Sequence, residues 1–138
     1  MNPVPVFMYH HVSPHKGDMV TVTPDVFEAQ MRFLKEAGYR TLSVDELVEI
    51  ADGNLEIKEK AVVVTFDDGY LDNYVYAFPV LKKYNIKATI FVVTDWVEKS
   101  SEFVGAYGHM PPLHNHGECK RLINEGKLSV SLLAKRVA

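Results

Sequence analysis

The sequence predicts an α/β fold with a mostly parallel sheet, on three observations. Short β-branched runs alternate with segments of helical period. The runs are apolar throughout instead of alternating, as strands buried on both faces are. Helix-start signals and glycine stops bracket the segments between them. With 138 residues, 47% hydrophobic and 24% charged, the chain has the composition of one globular domain or part of a larger one.

The elements follow in order. Val4–Tyr9 is a compact apolar run ending in a histidine pair, and reads as a buried strand. Thr23-Pro24-Asp25 opens a helix with an N-cap hydroxyl, a proline in the first turn and an acid suited to the helix dipole. Phe27, Met31 and Leu34 follow at helical spacing, and Gly38 ends the helix. A second helix opens with a capping box from Ser43 to Glu46 and carries Leu47, Val48, Ile50 and Ala51 before Gly53. Residues 61–66, Ala-Val-Val-Val-Thr-Phe, read as a parallel strand buried on both faces. A third helix is expected from about Tyr70 to Tyr84, with Tyr74, Phe78 and Leu81 on its apolar stripe and Pro79 kinking or dividing it. Lys87–Val93 is a further buried strand. Residues 97–117, with Gly105, Gly108, Pro111 and Pro112, read as a long loop, and residues 117–124 as a short helix ended by Gly126.

Composition excludes several classes. Fifteen Lys and Arg against eighteen Asp and Glu leave a net charge of −3, no footprint for nucleic acid. Cys119 is the single cysteine, which excludes an internal disulfide or thiolate cluster and is compatible with a reducing compartment. The N-terminal run lacks a basic n-region and is broken by Pro3, Pro5 and His10, so no signal peptide is expected and a cytoplasmic location follows for the chain as it stands. The longest apolar stretches are far too short to span a bilayer.

In a parallel sheet, functional residues gather at the carboxyl ends of the strands. Two places qualify: His10-His11 after the first strand, and Asp67-Asp68 after the long one. Adjacent carboxylates repel unless a cation or a shared proton intervenes, so one holding a divalent metal while the other works as a base is an economical explanation. The plainer alternative is a strand-ending turn whose aspartates cap the next helix. For the histidines, the plain alternative is a satisfied structural pair. A third class, phosphoryl transfer from a strand-end aspartate, wants a different downstream pattern and fits less well.

Residues 62–70, Val-Val-Val-Thr-Phe-Asp-Asp-Gly-Tyr, resemble the first signature of the polysaccharide deacetylases, the NodB-homology carbohydrate esterases. Residues 87–93 resemble the strand that follows it, and Tyr9-His10 resembles the start of the circularly permuted branch that acts on poly-N-acetylglucosamine. The resemblance covers about residues 4–126 and implies the N-terminal portion of a distorted (β/α) barrel of the NodB type, leaving residues 127–138 as a basic amphipathic tail. It implies Asp67 as catalytic base, His10 as general acid and Asp68 as ligand of a divalent metal, Zn²⁺ in expectation. Tyr70 and His11 become candidates for substrate contact. The implied reaction is hydrolysis of N-acetyl groups from an amino-sugar glycan, and members of the family are often exported.

The family completes its metal site with two histidines from a His-Ser/Thr-x-x-His motif, which these 138 residues lack. His114 and His116 are the alternative donors, set in the long loop. The expectation is therefore a front portion of the domain that does not deacetylate alone, with a non-catalytic interaction module as the alternative. The strands missing from the barrel would leave an open sheet edge that invites self-association.

Overall fold

The computed structural model describes residues 3–14 and 19–93. The long loop, the 117–124 helix, Cys119, His114, His116 and the 127–138 tail all lie outside the described residues.

The long β-branched run organises the fold. Strand β5, Ala61–Asp68, is the centre of a four-stranded parallel sheet. Strand β1, Val6–Tyr9, pairs with it from Val6↔Val63 to Tyr9↔Phe66. On the other side β4, Arg40–Leu42, takes the first part of β5, and β6, Thr89–Val92, takes its carboxyl end from Thr65↔Thr89 to Asp68↔Val92. After Tyr9 the chain leaves this sheet, and β2, His11–Val12, pairs in parallel with β3, Thr21–Val22.

Helix α1, Pro24–Glu36, buries Phe27, Met31 and Leu34. Thr23 stands at its N-cap without a side-chain capping bond; its carbonyl accepts from Phe27 N at 2.9 Å. Helix α2, Val44–Ala51, has the complete capping box, Ser43 and Glu46 each accepting from the other's backbone. Of its apolar residues only Ile50 is fully buried. The two faces of β5 feed two cores by strict alternation. Val62, Val64 and Phe66 join Phe27, Met31, Leu34, Ala77, Val80 and Ile90, while Ala61 and Val63 join Leu42 and Ile50. Tyr9, Phe27 and Phe66 interlock, with ring centroids 5.1 to 5.7 Å apart.

Two expectations are corrected. Strand β1 is not buried: Val6 and Met8 are exposed, because among the described residues only β5 pairs with it. Exposed Val26 and Phe33 of α1 lie alongside that free edge. The third helix is divided, as Pro79 suggests, into a π-helical turn, Asn73–Ala77, and helix α3, Phe78–Tyr84, with Pro79 in the first turn. Its buried stripe is Asn73, Ala77 and Val80, not Tyr74, Phe78 and Leu81. The wider π turn rotates the following residues relative to a uniform 3.6-residue repeat. The short strands β2, β3 and β4 carry too few residues to show a period.

Candidate active site

Parallel pairing places the carboxyl ends of β1 and β5 side by side, since Tyr9 opposite Phe66 is the last pair of that ladder. The next residue on each strand is therefore His10 and Asp67. His10 Nε2 stands 3.8 Å from Asp67 Oδ2, within ion-pair reach and beyond hydrogen-bond length. The side chains are 21% and 33% exposed, so both groups remain open to solvent.

Asp68 follows with a positive φ of 75°, and Gly69 with 70°. A left-handed aspartate is uncommon and costs backbone energy, and such residues cluster at functional sites. This pair of left-handed residues turns the chain sharply off the end of β5. At Gly69 a side chain would meet Val92 Cγ1 at 3.1 Å, because β6 packs directly on the turn.

Tyr70 is buried, and its ring stacks on His11 with centroids 3.7 Å apart. His11 Nδ1 is 2.6 Å from Asp72 Oδ2, and Asp72 is fully buried. Burial pushes the Asp72 carboxyl above the usual carboxylate range, against the opposing pull of His11 and of the Val12 N–H. Asn73 Nδ2 donates to the His10 carbonyl at 2.7 Å and to Asp72 Oδ1 at 3.0 Å.

Of the sequence-derived candidates, the structure brings His10 and Asp67 together, sets Asp68 at the strand end, and stacks His11 on Tyr70 beside them. Sequence reasoning missed Asp72 and Asn73. The available signal was two polar residues at the start of an otherwise apolar helical segment. The described residues do not make a complete metal site: they contain no group of three His, Cys, Asp or Glu side chains that could hold an ion. Zinc sites take three or four protein ligands. Asp68 is one donor, short of that number.

Bacillus subtilis (strain 168) YxkH is 46% identical over 90 residues, 65% of this chain and 32% of that protein. The poly-beta-1,6-N-acetyl-D-glucosamine N-deacetylase of Escherichia coli (strain K12) is 32% identical over 96 residues, 68% of this chain and 14% of the enzyme. The chain thus spans about a third or less of these curated relatives. Among solved structures, the Streptococcus pyogenes deacetylase PplD in complex with acetate superposes with a TM-score of 0.73 at 29% identity, over 94% of this chain and 55% of that one. The architecture is accordingly that of part of a NodB-type deacetylase barrel, its parallel strands matching a portion of the larger fold. The polysaccharide deacetylase family profile matches residues 54–131, which contain β5, Asp67, Asp68 and the strand that follows. That match takes in more than half of the sequence, and the chain belongs to the polysaccharide deacetylase family.

Proposed function

We propose that the chain carries the base and acid of an amide hydrolysis that removes acetyl groups from an N-acetylated amino-sugar polymer. The observation that carries this reading is the His10–Asp67 pair, 3.8 Å apart and solvent-accessible at adjacent strand ends. In this reading the Asp67 carboxylate takes a proton from the water that attacks the acetyl carbonyl. The carbon–nitrogen bond then breaks, and protonated His10 gives its proton to the leaving amine. The products are acetate and a free amino sugar. The substrate class follows from the Escherichia coli relative's name, and the PplD structure is that of a deacetylase in complex with acetate.

A divalent cation, zinc by family resemblance, belongs to this reading, with Asp68 the described residue set to hold it. In such a site it would polarise the carbonyl and acidify water. Among the described residues the donors fall short of a complete site. That shortfall favours a second reading, in which the chain binds glycan without hydrolysing it.

The test is acetate release from poly-β-1,6-N-acetylglucosamine and chito-oligosaccharides with added Zn²⁺, Co²⁺ or Ni²⁺, comparing the chain with Asp67→Asn and His10→Ala. Metal-dependent release lost in both variants is expected on the first reading. Binding of the oligomers without release supports the second. Neither binding nor release overturns both.

A further inference from the structure

We propose that Asp72 and Asn73 are positioning residues: they clamp the chain segment His10–Val12 onto the start of the helical segment after β5, and so hold the His10 ring at Asp67. The significance given to His10 rests on the proposed function, whereas the clamp does not.

The need for a clamp follows from the topology. The β1–β5 ladder stops at Tyr9↔Phe66, and the next strand pairing, His11↔Thr21, belongs to a different sheet. His10 lies at the break, where neither ladder fixes its backbone. Asn73 Nδ2 takes the His10 carbonyl at 2.7 Å, Asp72 Oδ2 takes His11 Nδ1 at 2.6 Å, and Val12 N reaches Asp72 Oδ1 at 3.4 Å. Three consecutive residues across the break are thus held by two consecutive side chains. The Asn73 amide is fixed in its orientation, since its nitrogen faces two acceptors, the His10 carbonyl and Asp72 Oδ1.

This arrangement is costly, and the costs fall together. Asp72 is a fully buried carboxylate. Among the described residues, Asn73 Oδ1 is buried without a hydrogen-bond partner. The helical segment is π-wound from Asn73 to Ala77, a rare geometry that recurs at functional sites. A segment selected for stability alone would carry apolar residues at positions 72 and 73 and continue as an α-helix. The polar pair is explained by what it grips.

The experiment measures coupling between His10 and Asp67 at one fixed pH, by the shift of the His10 ring ¹⁵N–¹H signals on Asp67→Asn in the labelled full chain. In the native background the signals move. In an Asn73→Ala background the same substitution is expected to move them by less than half as much. Asn73→Ser, whose hydroxyl is too short for the His10 carbonyl, gives the same loss in a milder change should the alanine variant not fold. Val80→Ala, a core truncation outside the clamp, lowers stability but keeps the full response. A full-sized response with Asn73→Ala or Asn73→Ser, an equal loss with Val80→Ala, or no response in the native background overturns the proposal. Absence of acetate release leaves this response unaffected, so failure of the functional reading is separately visible.

Discussion

Replacing Gly69 by alanine should be among the most damaging one-carbon changes in the chain. Gly69 has φ +70°, where a β-carbon costs roughly 1–2 kcal/mol in backbone strain. The new methyl would also lie 3.1 Å from Val92 Cγ1, so β6 must yield where it pairs with the end of β5. Overpacking of this kind costs typically about 1–3 kcal/mol. The sum is roughly 2–5 kcal/mol, a fall in melting temperature of about 6–15 °C for a chain of this size. Gly53 supplies the control, with φ +78° and no atom within 4 Å of a built β-carbon. Gly53→Ala should therefore show the strain alone, about 1–2 kcal/mol. Urea denaturation and thermal melts of the two variants measure the difference. Equal losses would refute the argument that β6 packing, and not backbone conformation alone, demands glycine after Asp67-Asp68.

Other outcomes follow from the same geometry. Ser43→Ala removes the cap on Glu46 N and should cost about 1 kcal/mol by urea denaturation. Asp68→Asn keeps a residue tolerant of the left-handed conformation and should change stability by no more than about 0.5 kcal/mol, while a calorimetric titration should lose whatever divalent-cation affinity the native chain has. Lys83 and Tyr84 both donate to Glu28, and these bonds hold its carboxyl below the usual range. A depressed folded-state pKa contributes stability that is present above the unfolded glutamate pKa and lost as pH falls through the folded value. The stability advantage of the native chain over Glu28→Gln should accordingly shrink on acidification, as read by urea midpoints from neutral pH downward.

Much of the fold is legible along the chain because its signals are local. The apolar run 61–66 declares a strand buried on both faces, and the structure places Val62, Val64 and Phe66 in one core and Ala61 and Val63 in the other. The capping box at Ser43, the spacing of Phe27, Met31 and Leu34, and the division at Pro79 are written within a few residues each. The motif Asp67-Asp68-Gly69 marks a candidate strand-end site for the same reason, since adjacent carboxylates before a glycine demand an explanation wherever they occur.

What the sequence could not decide depends on partners distant along the chain. Apolarity in β1 reads as burial, yet Val6 and Met8 are exposed because the described pairing covers only one edge of that strand. The π turn, and with it the choice of Asn73, Ala77 and Val80 as the buried stripe, arises where the chain packs against α1 and β2, not from local propensity. The site shows the division most clearly. The sequence by itself determined which side chains can exchange protons, because chemistry belongs to residue type. Tertiary structure set the 3.8 Å separation of His10 and Asp67, which the strand-end rule had already brought to one face, and it alone decided that Asp72 and Asn73, more than sixty positions from the histidines they hold, close the break between two sheets. Strand register across β1 and β5 is a property of the pair, and neither strand encodes it alone.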